Sequence, residues 1–191
     1  MNRCIEIIKY TWKAKGRHGI HSPFVYDLLD NCFKIPVSRD KIIGISTKIK
    51  VHGNTLRCLM QLSKHLKFNT LLTETRLQTA IGGLANELSI PSDIQNLSFF
   101  NQLEKEQHAS IILVTTDNKN DGILTKVKEL LPLLDENSLI LIDGIRANDL
   151  AFSEWKRLKE KTEFHFSADV FHFGILAKRS FQEKEQFILR Y

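Results

Sequence analysis

The stretch Ser138-Leu139-Ile140-Leu141-Ile142-Asp143 holds four consecutive apolar residues closed by an acid. It is too short for a globular helix and shows no polar alternation, which predicts a strand buried on both faces. Ile111-Ile112-Leu113-Val114 has the same character, and Thr70-Leu71-Leu72-Thr73 is a shorter version of it. Helical periodicities separate these runs. Ile81, Leu84, Ala85 and Leu88 fall at i, i+3, i+4, i+7, and Pro91 follows them. Leu124, Val127, Leu130, Leu131 and Leu134 mark a second helix; Asn148 can cap a third, containing Phe152, Trp155 and Leu158. Residues 92–108, with Phe99, Phe100 and Leu103, fit either strand or helix. Strands alternating with helices require right-handed crossovers and a parallel sheet covered on both sides, a three-layer α/β fold. Such sheets bind ligands at the carboxyl ends of their strands. Segments 164–168 and 174–177 predict an antiparallel hairpin at an edge of the sheet.

The N-terminal part reads differently. Ile5, Ile8 and Trp12 stand at helical spacing within residues 2–14, and Gly16-Arg17-His18-Gly19 breaks that helix. Ser22-Pro23 opens another, with Ser as cap and Pro in the first turn. Phe24, Val25, Leu28, Leu29 and Cys32 share a face, and Pro36 ends the segment. A third helix is predicted over 54–66, with Leu56, Leu59, Met60 and Leu66 inward. Residues 1–53 are therefore read as a helical cap on an α/β domain of residues 54–191, the whole forming one compact unit. Burial of Ile5, Ile8, Trp12, Phe24, Leu28 and Leu29, at ~1.5–3 kcal/mol per fully buried large side chain, is expected to hold the cap down.

Composition narrows the classes. The chain has 191 residues, 42% of them hydrophobic, which suits one folded domain and excludes a disordered chain. No apolar run approaches the ~20 residues that span a bilayer, and the charged N-terminus does not read as a secretory signal. Cys4, Cys32 and Cys58 lie far apart, which argues against a disulfide framework or a zinc site and for a reducing, cytoplasmic setting. No metal and no membrane association are expected. Charge is uneven. Residues 1–50 hold ten Lys/Arg and four acids, a net of +6 within a total of +5. A basic segment can meet nucleic acid or another anion. Without a recognition helix or a basic-aromatic platform, a solvated face or an acidic protein partner is the preferred reading.

A family resemblance enters at Asp143. The helix end Leu130-Leu131-Pro132-Leu133-Leu134 and the strand ending at Asp143 resemble the fifth-strand region of class I S-adenosylmethionine-dependent methyltransferases, whose Rossmann-like sheet also ends in an antiparallel strand. A bacterial subgroup with an N-terminal H-S-P-F motif is closer. Its motif stands here as His21-Ser22-Pro23-Phe24, and its characteristic ending as Asp169-Val170-Phe171-His172-Phe173-Gly174 and Phe187-Ile188-Leu189-Arg190-Tyr191. The resemblance covers nearly the whole chain and implies a methyltransferase sheet.

The departures bear on function. The resemblance implies a glycine-rich turn after the first strand, where backbone N–H groups approach the cofactor in conformations a Cβ opposes. Here the turn reads Glu74-Thr75-Arg76-Leu77-Gln78-Thr79, with Thr75 and Thr79 at the glycine positions and Glu74 a displaced acid. An acid is implied at the end of the second strand to hold the ribose, but Ile94 to Phe99 has none. About ten residues separate Phe99 from Ile111, too few for the further helix-strand-helix of the subgroup. Asp117 and Asp143 follow their strands as catalytic aspartates would, and equally as ordinary turn acids. Gly144 and Arg146 replace an acid and a histidine of the subgroup. His18 and His21 are read as local ordering residues, His172 as a hairpin residue. The expected protein is a shortened, degenerate methyltransferase-like pseudoenzyme with no cofactor and a structural or regulatory role, working with a protein partner or as a homodimer. The alternatives are an active S-adenosylmethionine-dependent methyltransferase and an anion- or nucleic-acid-binding module.

Overall fold

A computed structural model describes residues 3–16, 20–66, 68, 70–74, 77, 81, 93–96, 110–116 and 122–191. Its strands are β1 (Thr70–Thr73), β2 (Asp93–Asn96), β3 (Ser110–Thr115), β4 (Leu139–Asp143), β5 (Phe166–Asp169), β6 (Phe173–Ala177) and β7 (Glu185–Ile188). They form one sheet in the order β2-β1-β3-β4-β6-β5-β7. β1 pairs in parallel with β2 and β3, and β3 with β4. β6 is antiparallel to β4 and β5, and β7 runs parallel to β5.

The unbroken apolar character of the inner strands follows from the two cores. Successive side chains point to opposite faces. Ile111, Leu113, Leu139, Leu141, Phe173 and Ile175 enter one core. That core is closed by α2 (Pro23–Asp27), which continues as a π-helical turn Leu28–Cys32, by α3 (Arg39–Ile49) and by α4 (Gly53–Leu66). Ile112, Val114, Ile140, Ile142 and Leu176 enter the other core, under α5 (Ile123–Leu130) and α6 (Asp149–Glu160). Asn148 caps α6, its Oδ1 accepting from the Ala151 N–H at 2.8 Å. The sheet is thus the middle of three layers. Leu77 and Ile81 are helical and buried. Leu84, Ala85, Leu88, Phe99, Phe100 and Leu103 lie outside the described residues.

Three expectations are corrected and one helix is added. The hairpin is not an edge. β6 sits between β4 and β5, and Glu185–Ile188 adds a parallel strand outside β5. All four residues of β5 are buried, whereas β7 is half exposed and suits an edge. Second, α3 adds a helix to the cap that the spacing had not marked; Ile42, Ile45 and Ile49 at i, i+3, i+7 are its buried stripe. Third, the Ser22 hydroxyl does not cap α2. It donates instead to Glu185 Oε2 at 2.7 Å, and Phe24 meets Phe166 edge-on at 5.1 Å. The H-S-P-F segment thereby ties the cap to the far edge of the sheet. Fourth, the helix α1 (Arg3–Lys13) does not bury the residues expected to hold it: Ile5, Ile8 and Trp12 are 48%, 58% and 88% exposed. Tyr10 holds it instead, its hydroxyl donating to the Leu189 carbonyl, together with a short bridge from Lys15 to Leu189.

Candidate functional site at the carboxyl ends of the strands

β1 leads to β2 on one side and borders β3 on the other, so the sheet order reverses between β1 and β3, where open α/β sheets take ligands. Glu74 follows β1 at this point. Its Oε1 accepts from Lys126 Nζ at 2.9 Å and its Oε2 from the Thr115 hydroxyl at 3.0 Å. Lys126, on α5, also donates to the Thr115 carbonyl at 3.0 Å. Burial by itself would raise the Glu74 pKa. The hydrogen bond and charge of Lys126, with the Thr115 N–H and hydroxyl, outweigh it and hold the carboxyl below its ordinary value. Thr75 and Thr79 lie outside the described residues, as does Asp117.

The carboxyl end of β4 is different. Asp143 is buried and accepts from the His52 N–H at 3.2 and 3.3 Å and from the Thr55 hydroxyl. Both donors stand at the start of α4, so the carboxylate serves that helix N-terminus from across the sheet. The chain turns at once through Gly144, with φ +73°, where a Cβ would lie 2.3 Å from Thr116 Oγ1. The Gly144 N–H donates to the His172 carbonyl at 2.9 Å. The rings of His172 and His52 stack at 3.7 Å, 13° from parallel. The Asn54 N–H donates to His52 Nδ1 at 3.2 Å, which places the proton of a neutral His52 ring on Nε2. Asp143, His52, His172, Lys50, Arg146 and Asp149 border an open cleft of about 770 Å³. Its polar lining carries groups that donate and accept hydrogen bonds. Among the described residues no group of three or more His, Cys, Asp or Glu side chains is arranged to hold a metal ion.

One wall of the cleft is built by a buried ion pair. Arg146 meets Asp169 with two bonds of 2.7 Å and donates to the Phe171 carbonyl at 3.0 Å. Its guanidinium also lies 4.6 Å from the Phe152 ring centre and 5.0 Å from that of Phe171. Asp169 further accepts from the Trp155 indole at 3.3 Å and from the Phe171 N–H at 3.0 Å. The latter bond holds Phe171 at φ +65°, a conformation costly for a residue with a Cβ. Gly174 passes under Trp155 so closely that a Cβ would stand 2.5 Å from the indole. The sequence motif 169–174 is therefore a wall-building device. Arg146, placed where the resemblance implies a histidine, supplies the counter-charge of Asp169.

The structure thus brings Asp143 to an open cleft and Glu74 to an ion pair at a separate strand end. His21 is exposed, and His18 lies outside the described residues. His172 is a hairpin residue that also faces the cleft. His52 carries no motif around it. It meets His172 only because the sheet brings the start of α4 beside the β5–β6 turn.

No protein-family model matches the sequence, and no curated protein matches it either. Among solved structures, the chain is similar to that of cofactor-bound Rv0187 from MTB, with a TM-score of 0.51 and 10% identity, over 84% of this chain and 99% of that one. A second similarity is to the SAH-bound methyltransferase PaMTH1 of Podospora anserina, with a TM-score of 0.48 and 14% identity, over 86% and 99% of the two chains. The first, together with the strand order, establishes a shared Rossmann-like α/β fold.

Proposed function

We propose that this chain is a methyltransferase-like protein of the class I S-adenosylmethionine-dependent type that has lost cofactor binding and catalysis and retains a structural or regulatory role. The observation that carries this reading is Lys126. Its ammonium is fixed on Glu74 and on the Thr115 carbonyl at the switch point of the sheet. S-adenosylmethionine brings a sulfonium cation, and a carboxylate already paired with an ammonium offers it little attraction. The described residues at this strand end, closed into an ion pair with one another, do not fit the cofactor. The chain length agrees: residues 97–109, thirteen in all, connect β2 to β3 across β1. They suffice for a crossover of ~1.5 Å per helical residue, but not for another strand with a helix on each side.

An active methyltransferase is the second reading, favoured by the cleft that two imidazoles and Asp143 border beyond β4. One experiment separates the two. A ligand at 100 times its Kd stabilises a fold by about 2.7 kcal/mol. Millimolar S-adenosylmethionine and S-adenosylhomocysteine are expected to leave the melting temperature unchanged. A clear rise, with one-to-one stoichiometry by calorimetry, makes the protein a cofactor binder and overturns the degenerate reading.

A further inference from the structure

Of the seven large apolar side chains that stand exposed among the described residues, four belong to the eleven-residue helix α1: Ile5, Ile7, Ile8 and Trp12. The helix has two opposed faces. Glu6, Tyr10 and Ala14 recur every four residues and turn inward. Tyr10 meets Phe171 edge-on at 5.1 Å, Ala14 is buried, and Glu6 borders the cleft with its side chain 17% exposed. At ~100° per residue, Ile5, Ile8 and Trp12 fall on the opposite side, as one outward stripe. The single acid of α1 is thus turned toward the protein. Lys9 reaches back to it at 3.4 Å while remaining 62% exposed, Lys13 is exposed, and Lys15 follows. The outward surface is apolar and cationic.

A second copy is a poor match for this surface. The three stripe residues expose on the order of 400 Å² together, about half of the ~800 Å² per partner in a standard interface. Pairing two such helices also brings like charges together. A lipid surface requires no matching shape, and anionic headgroups complement lysines flanking an apolar stripe. No described helix is long and apolar enough to cross a membrane. We propose that α1 docks in the plane of an anionic lipid surface, with Ile5, Ile8 and Trp12 among the acyl chains and Lys9 and Lys13 at the headgroups. It runs against the expectation that no membrane takes part, and the test below decides between them.

The chain carries its own probe, because Trp155 is fully buried and Trp12 is 88% exposed. The test mixes the full chain with vesicles of phosphatidylcholine, with and without phosphatidylglycerol. It reads co-sedimentation and tryptophan emission. The expected result is sedimentation and a shift to shorter wavelength with the anionic vesicles only, both reversed by added salt. Ile8→Ser is expected to weaken partitioning about tenfold without altering the circular dichroism melt. Trp12→Phe is expected to keep sedimentation and lose the emission change. Absence of sedimentation with either vesicle overturns the proposal, as does equal binding to both. So does an emission shift that grows with protein concentration without vesicles, accompanied by a dimer in ultracentrifugation, which assigns the stripe to a second copy.

Discussion

At the carboxyl ends of β1 and β3 the described polar groups are engaged with one another: Glu74, Thr115 and Lys126 close into a single ion-paired cluster. One strand further on, at the end of β4, Asp143, His52 and His172 border open space. The two regions share one sheet and nearly one register, with Thr115 opposite Asp143. Their difference lies in what arrives from outside the sheet. α5 delivers a lysine to the first, and it neutralises the carboxylate. At the second, the His52 N–H and the Thr55 hydroxyl engage the Asp143 carboxylate, while the His52 imidazole turns to His172 and leaves a cleft beside it. A strand-end acid therefore does not define a binding site; the side chain that a neighbouring helix or loop sends to meet it does.

The comparison breaks most completely at Arg146. Its side chain is 9% exposed and that of Asp169 is 4% exposed, so Arg146→Ala leaves a buried carboxylate without its counter-charge. The expected loss is about 3–5 kcal/mol, read from urea unfolding midpoints. The effect belongs to the β4 region. Loss of the Arg146 wall is expected to move the His52 and His172 ring resonances in NMR spectra while leaving the Thr115 amide in place. A change below about 1 kcal/mol would show that Asp169 is held by Trp155 and the Phe171 N–H alone.

A smaller effect is expected at Gly174. A Cβ there would lie 2.5, 2.6 and 2.9 Å from three carbons of the Trp155 indole, which is fully buried and has no room to retreat. Gly174→Ala is expected to cost about 1–3 kcal/mol by overpacking, measured as a fall in unfolding midpoint at unchanged slope. Unchanged stability would mean that the indole swings aside, in which case its emission spectrum changes.

The sheet was legible because doubly buried strands have to be apolar throughout. Ile111 to Val114 and Leu139 to Ile142 serve two cores at once, and no solvated strand has that pattern. The α3 stripe Ile42, Ile45, Ile49 was equally present in the sequence but was obscured by the Lys and Ser residues between its members. For α1, periodicity revealed the stripe but not its direction. Helical spacing separates an apolar side from a polar one without telling which of them meets the protein, and here Tyr10 wins the inward position. The His52–His172 stack and the Arg146–Asp169 pair were beyond reach. Each joins residues on different elements, which no spacing rule connects before the topology is known. Glu74 was legible as a strand-end acid, whereas its partner Lys126 had the look of an ordinary helix lysine.

The smallest effect sharpens the β1 side of the comparison and has a definite sign in pH. Glu74 titrates below the ordinary carboxylate value in the fold, because Lys126 and Thr115 outweigh the burial that would raise it. In the unfolded chain a glutamate titrates near ~4.3. A depressed folded pKa contributes stability that is fully present above the unfolded value and is lost as pH falls through the folded one. The pair is partly exposed, with side chains 20% and 18% accessible, so the contribution is expected to be about 1 kcal/mol rather than the several of a sealed pair. Glu74→Gln should therefore lower stability by that amount at neutral pH, and the difference from the parent should shrink as the pH falls from ~4.3 through the lower folded value, where the parent also loses its charge. Lys126→Met removes the counter-charge and one hydrogen bond and leaves burial opposed by Thr115 alone, so the Glu74 carboxyl is expected to titrate higher than in the parent and the pH dependence to weaken. Urea unfolding midpoints of the three proteins across the acid range give the answer. Parallel curves for the parent and Glu74→Gln would show that Lys126 does not hold Glu74, and the ammonium would then be free to leave the switch point.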